Sequence, residues 1–224
     1  EFRGFGIPRT RRVSLMEEGL DVLKLCFAGE PFSYDGKRYQ FNDVVITPGY
    51  VQEGGPPLWI ATMSEAGAER VVRHDAHILP QGLRARAFDP WVNALHASGR
   101  SPDHYRKGII RSVLVTDDLE RDWRRVRIAE RYRMQLYRRF FEESNEGFGE
   151  DGEPIPQTWI VGDVSDCVDQ LEAFVRAFGI TDLVTMAVPP GLPVDALNHS
   201  HEQLFKVVVP QLKARLNAST TISG

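Results

Sequence analysis

The sequence predicts an α/β fold built on parallel strands, and three observations carry that expectation. Short apolar runs bounded by Gly and Pro alternate with segments whose apolar residues recur every three or four positions, the periods of buried strands and of one-faced helices. Strands separated by helices must run parallel, because each helix carries the chain back across the sheet. Four core strands, at 58–61, 78–79, 109–115 and 183–188, make four β/α units in 224 residues. A closed eight-stranded (β/α)8 barrel of the TIM type takes about 250 residues. Four such units with a small β-hairpin insertion are the content of half such a barrel.

Taken in order, Val13, Met16, Leu20, Leu23 and Phe27 mark a helix with one buried face, and Gly29 marks its stop. Phe32 to Phe41 places Asp35-Gly36 between two aromatic-rich arms, the pattern of a hairpin with a two-residue turn. The Pro- and Gly-rich stretch 47–57 leads into the short strand Leu58-Trp59-Ile60-Ala61. Ser64-Glu65 then opens a helix through Val72, and His77-Ile78-Leu79 reads as the next strand. A helix over 89–97 precedes a strand over 108–115. A long helix follows from Asp117 to about Glu143, with Leu119, Trp123, Val126, Leu136 and Phe140 facing inward. After an acidic, Gly-rich loop, Val161-Gly162-Asp163 leads into a helix capped by Asp163 and stopped by Gly179. That helix carries Cys167, Leu171, Phe174 and Phe178 on one face. Leu183 to Val188 reads as a buried strand, and Val194 to about Leu216 as a last helix interrupted by Pro210. The domain expectation is one barrel domain over 1–216 and a disordered tail over 217–224.

Composition bounds the function classes. With 27 Lys and Arg against 31 Asp and Glu, the net charge of −4 lacks the basic excess that phosphate-backbone binding requires, so nucleic acid is excluded as the main partner. At 42% hydrophobic and 26% charged residues the chain is an ordinary folded domain rather than a disordered one. No apolar stretch approaches the roughly 18 residues of a membrane span, so no membrane partner is expected. Two cysteines, Cys26 and Cys167, are too few for a disulfide framework and point to a reducing, cytoplasmic setting.

The segment from Leu58 to Ala68 carries the most chemistry. A strand ends, two residues turn, and Ser64 begins a helix whose third residue is Gly67. Unpaired backbone N–H groups at a helix start, a hydroxyl and a glycine permitting close approach make an anion site suited to a phosphate. The alternative reading is that Ser64 only caps the helix.

Several segments, in order, resemble the luciferase-like, flavin-dependent monooxygenase family that includes bacterial luciferase. They are Glu1-Phe2 with Phe5-Gly6, Arg12, Glu17-Glu18 and Leu20-Asp21-Val22-Leu23; Gly29 to Gly36 with Tyr39 and Phe41; Pro56 to Ala61 with Ser64; Val161-Gly162 before a helix ending Phe178-Gly179-Ile180; and Pro190-Gly191 with Val209-Pro210. The resemblance implies a (β/α)8 barrel that binds reduced FMN, or in some branches a deazaflavin coenzyme, at the C-terminal face of the strands. It assigns the backbone at Met63, the hydroxyl and backbone of Ser64 and the backbone of Gly67 to the flavin phosphate. It also places Arg12 near the cofactor, where its charge would offset the phosphate. It implies a small organic substrate and a separate flavin reductase.

In that family the segment resembling Glu1 to Gly6 follows the fourth strand, so the first four β/α units have no counterpart here. Those units hold much of the isoalloxazine pocket and, in luciferase, a catalytic histidine; no catalytic acid or base is assigned in this chain. The expectation is that the N-terminal half of the barrel is missing from the sequence, or that the chain pairs with something. Two open strand edges and a half-covered core predict an unstable chain or a homo-oligomer. Two functions are carried forward: a flavin-dependent oxidoreductase or monooxygenase in its complete form, and a non-catalytic flavin-binding or assembly half-barrel.

The remaining features read as structure. His74 and His77 straddle a strand entry that points them to different faces, with no third metal ligand. His199 and His201 are two apart and so not on one helix face, and are read as solvated or capping groups. The eight arginines between Arg121 and Arg139 alternate with acids on a solvated face, partner docking being the alternative. Gln81 follows a core strand, at the end where substrate binds in such barrels. Cys26 and Cys167 lie on apolar helix faces and read as small core residues rather than nucleophiles.

Overall fold

The first long helix, α1 (Arg12–Ala28), ends at Gly29, whose φ of 73° is the left-handed conformation that a side chain would strain. The computed structural model that shows this describes residues 2–52, 54–62, 64–80, 88–141, 155–156, 158–186 and 188–220. On α1 only Leu20 is buried, while Val13 and Met16 are exposed, so the predicted buried face is covered over part of its length alone. The cover is the hairpin of β1 (Phe32–Asp35) and β2 (Gln40–Val44), antiparallel with Tyr34 opposite Phe41 and Asp35 opposite Gln40. The turn is therefore Gly36 to Tyr39, closed by the Gly36 N–H on the Tyr39 carbonyl at 2.9 Å, and not the two-residue Asp-Gly turn expected. Its place along the chain has a partner on α1. The Glu18 carboxylate accepts the backbone N–H groups of Arg38 at 2.6 Å and Tyr39 at 3.2 Å, holding two amides of the turn.

The chain divides into two compact units, Glu1–Ile78 with Ala87–Tyr105 and Leu79–Arg86 with Arg106–Gly224. The first contains α1, the hairpin, and β3 (Trp59–Ile60) parallel to β4 (His77–Ile78), both shorter than the apolar runs suggested. Between them runs α2 (Glu65–Arg73), whose Ala68, Val71 and Val72 are buried. Helix α3 (Phe88–Ala97) adds Trp91 and Leu95, both fully buried, to the same core.

The second unit holds a three-stranded parallel sheet in the order β6 (Trp159–Gly162), β5 (Gly108–Val115), β7 (Asp182–Met186). The sequence pattern predicts β5 and β7 but marks 161–163 only as the approach to a helix, because Thr158 to Val161 is a short β-prone run that periodicity does not register. Right-handed crossovers fix the rest. The step from β5 to β6 and the return past β5 to β7 go in opposite directions, so the helices they use, α4 (Leu119–Phe141) and α5 (Val164–Phe178), must cover opposite faces. The packing agrees. Val113 and Val115 meet Cys167, Val168 and Leu171 of α5 on one face, while Leu114, between them, meets Trp123 and Val126 of α4 on the other. The parallel strands of both units and their helices are those of an α/β protein. The described strands form separate sheets and no closed barrel, and α4 and α5 on opposite faces depart from a barrel's single outer ring of helices.

Two further expectations need correction. β7 is not buried: Leu183 faces the α5 side, but Val184 and Met186 on the other face are 45% and 54% exposed. On α4, Leu119 is exposed rather than inward. The last helix does break near Pro210, as α6 (Val194–Gln203), a π-turn over Leu204–Val208 and α7 (Val209–Thr220). Proline has no N–H for the carbonyl four residues back, and the wider turn comes just before it. α7 continues through Thr220, so residues 217–220 are helical.

Candidate functional site

The site grows out of the end of β3. Ile60 is buried in the sheet, and Thr62, 7% exposed, turns the chain so that its hydroxyl meets Ser64 twice, accepting the Ser64 N–H at 3.3 Å and bonding the Ser64 carbonyl at 3.2 Å. Ser64 has an extended backbone and caps α2, its Oγ accepting the Gly67 N–H at 3.2 Å. The first two amides of α2, at Glu65 and Ala66, have no carbonyl behind them to bond, as at every helix start, and the residues that carry them are exposed. The capping role is thus real, but it does not consume Ser64. A hydroxyl accepts through its lone pairs and keeps one O–H to donate, so Ser64 can bind the Gly67 amide and an anion together.

Gly67 proves to be fixed from inside the protein. A side-chain carbon on it would overlap the Thr62 hydroxyl, so the glycine is required by the turn even without a ligand. That same tight turn fixes Ser64 at the head of the helix, beside the first amides of α2. An anion of phosphate size fits the chemistry of this donor set, the helix dipole adding to it. Glu65, the acid in the first turn of α2, opposes it.

Of the other residues singled out, Met63 and Gln81 lie outside the described residues. Arg12 stands at the exposed start of α1 and its guanidinium donates to the Arg9 carbonyl at 3.0 Å, the bond that the structure shows for it. His199 is 3.1 Å from Asp117 on the surface, and His201 packs near the Phe205 ring. On α4, Arg121 pairs with Asp122 and with Asp118 just before the helix, and Arg133 with Glu130, so those arginines are matched by acids on or beside their own helix. Cys167 is fully buried; burial pushes its thiol up to about 12, and its Sγ faces the carbonyls of Leu114 and Gly162. It is a core residue with no thiolate chemistry.

A cluster that the sequence alone does not reveal lies at the opposite end of α2. One carboxylate, Glu17 of α1, accepts from Arg70 Nε at 2.8 Å and Arg73 Nη1 at 2.9 Å, and lies 2.7 Å from His74 Nε2. His74 is 4% exposed, with its Nδ1 3.7 Å from Asp21. Burial raises the Glu17 pKa, but the hydrogen bonds from His74 and Arg70 and the charges of Arg73 and Arg70 outweigh it and hold the carboxyl below its usual range. Arg70, Arg73 and His74 stand at i, i+3 and i+4, one helix face; that spacing was visible, but its acidic partner lies more than fifty residues away. His77, three residues on, faces the Trp59 ring instead, at 4.9 Å.

The model of the luciferase-like monooxygenase family matches residues 1–182, and the chain belongs to that family. Among curated proteins it is similar to an FMNH(2)-dependent dimethylsulfone monooxygenase of Pseudomonas putida, 25% identical over 129 residues that make up 56% of this chain and 36% of that protein. Among solved structures it is similar to the monooxygenase RslO1 from Streptomyces bottropensis, with a TM-score of 0.74 at 15% identity, covering 94% of this chain and 64% of the other. The EDTA monooxygenase of Chelativorans sp. gives 0.67 at 17% identity, covering 95% and 62%. A coenzyme F420 dependent tetrahydromethanopterin reductase from Methanopyrus kandleri gives 0.64 at 16% identity, covering 88% and 62%. These structural likenesses define the fold, and the chain spans about a third of the curated relative and less than two thirds of each solved chain.

Proposed function

We propose that the chain supplies the phosphate-holding part of a flavin-dependent monooxygenase, which oxidises a small organic substrate with reduced flavin and O₂. The observation that carries this reading is the Thr62–Ser64–Gly67 turn at the head of α2, with a spare hydroxyl proton on Ser64 and the helix-start amides beside it, in a chain of the luciferase-like family. FMN is the favoured cofactor and a deazaflavin coenzyme the alternative; the FMN-dependent and the F420-dependent relatives support one each. The flavin supplies the redox chemistry. Ser64 Oγ–H and the amides of Glu65 and Ala66 hold and orient its phosphate, with Met63 and Arg12 as further proposed contacts. A separate flavin reductase, a homo-oligomeric state and a cytoplasmic setting complete the proposal.

The test is binding of FMN and riboflavin to the wild-type chain and to Ser64→Ala. A hydrogen bond to a charged group contributes about 1.5–3 kcal/mol, so Ser64→Ala should weaken FMN by roughly tenfold or more and riboflavin far less. Equal losses for the two ligands reject the phosphate assignment. Turnover of FMN with a reductase and O₂ separates the enzyme from the non-catalytic half-barrel.

A further inference from the structure

We infer that Glu17 is a positioning residue for the anion site, acting through α2; the inference rests on the phosphate reading given above. The juxtaposition is specific: Arg70, Arg73 and the C-capping His74 all converge on one carboxylate carried by a different helix. Arg70 and His74 have side chains only 19% and 4% exposed, so neither reaches water freely if that carboxylate is removed. Without Glu17 the partly buried Arg70 loses its carboxylate and His74 keeps only Asp21, 3.7 Å from its Nδ1, so the end of α2 is driven toward solvent, where an unpaired buried charge is rehydrated. α2 has nine residues and its other end is Ser64. A short helix moves as one body, so a tilt at His74 displaces the Ser64 hydroxyl and the amides of Glu65 and Ala66 together. The turn at Thr62 leaves little slack to absorb it, because its hydroxyl holds Ser64 through two hydrogen bonds and leaves no room for a side-chain carbon on Gly67.

Direct electrostatics predicts the opposite sign, which makes the inference sharp. Glu17 is an anion, and its removal leaves α2 more positive. Across about 13 Å of helix, at about 1.5 Å per residue and with physiological salt, that would tighten a phosphate by less than about twofold. Positioning predicts a loss instead.

The experiment titrates FMN and riboflavin into the full chain and into its Glu17→Ala, Glu17→Gln and Ser64→Ala forms, with a melting curve for each. The expected result is a ratio of FMN to riboflavin affinity that falls roughly threefold to tenfold in Glu17→Ala, less in Glu17→Gln, and with riboflavin changed by less than about twofold. Glu17→Gln keeps the volume and one acceptor oxygen, and decides the matter if Glu17→Ala does not fold. Equal weakening of both ligands would mean a merely structural role and overturn the inference, as would tighter FMN binding. If Ser64→Ala lowers the ratio and the Glu17 variants do not, this inference alone fails. If Ser64→Ala leaves the ratio unchanged, the phosphate reading fails and takes this inference with it.

Discussion

Gly67→Ala reverses a rule and so tests the turn directly. In a helix, replacing Gly by Ala ordinarily stabilises by up to about 1 kcal/mol. At Gly67 the added methyl would overlap the Thr62 hydroxyl and come within 3.2 Å of Ser64 Oγ. Thr62 is β-branched and buried, with few rotamers to escape into. Relieving the overlap means breaking its two hydrogen bonds to Ser64, worth about 0.5–1.5 kcal/mol each, on top of an overpacking cost of about 1–3 kcal/mol. Against a helix gain of about 1 kcal/mol, the net is a destabilisation of at least about 1 kcal/mol, and about 3 in the middle of these ranges. Urea denaturation measures it as a lowered midpoint with an unchanged slope. Thr62→Ala removes the hydroxyl that the methyl strikes, so Gly67→Ala should cost at least about 1 kcal/mol less in that background. A neutral or stabilising Gly67→Ala, or simple additivity of the two changes, would refute the close packing.

Two further outcomes follow from the second unit. Cys167, its thiol pushed up to about 12 by burial, should resist thiol reagents at pH 8 in the native protein and react only on unfolding. Because the unfolded chain gives up that proton from about pH 8.5 while the native one keeps it, stability should fall as pH rises from there toward 12, a slope that Cys167→Ala removes. Asp163 caps α5 in a reciprocal capping box with Asp166, so Asp163→Ala should lower stability by about 1–2 kcal/mol in a denaturant titration, and Asp163→Ser by much less.

What was legible in the sequence is what a residue says about its own element. Gly29 and Gly179 stop helices, Asp163 and Ser64 start them, and the long central strand over 108–115 lies where its apolar run predicts it. What was not legible depends on partners elsewhere in the chain. The Asp35-Gly36 pair looked like a tight turn because Glu18, which holds the amides of Arg38 and Tyr39, lies on another helix. Val184 and Met186 looked buried because β-prone apolar residues carry no mark of which sheet face receives a helix, and the order of β6, β5 and β7 decides that. The site was half legible for the same reason. Ser64 and Gly67 could be found from one strand–turn–helix motif, whereas Glu17 becomes visible only once α1 lies beside α2.

Capping and phosphate binding at Ser64 are separable rather than exclusive. Both roles use one oxygen, but capping uses its lone pair toward Gly67 while anion binding uses its proton. A residue that accepts well and cannot donate should therefore keep one role and lose the other. Asp is such a residue: it is among the best N-caps, its charge favours the helix start, and its ionised carboxylate has no proton to offer. Ser64→Asp should leave the melting temperature and denaturation midpoint at or above those of the wild type, where Ser64→Ala lowers stability by about 0.5–2 kcal/mol. FMN affinity should fall further in Ser64→Asp than in Ser64→Ala, since a carboxylate then faces the phosphate, while riboflavin affinity stays close to that of the wild type. Titrating the three proteins with both ligands reads this directly. An aspartate that preserves FMN binding as well as stability would show that Ser64 only caps α2 and that the flavin phosphate is held elsewhere.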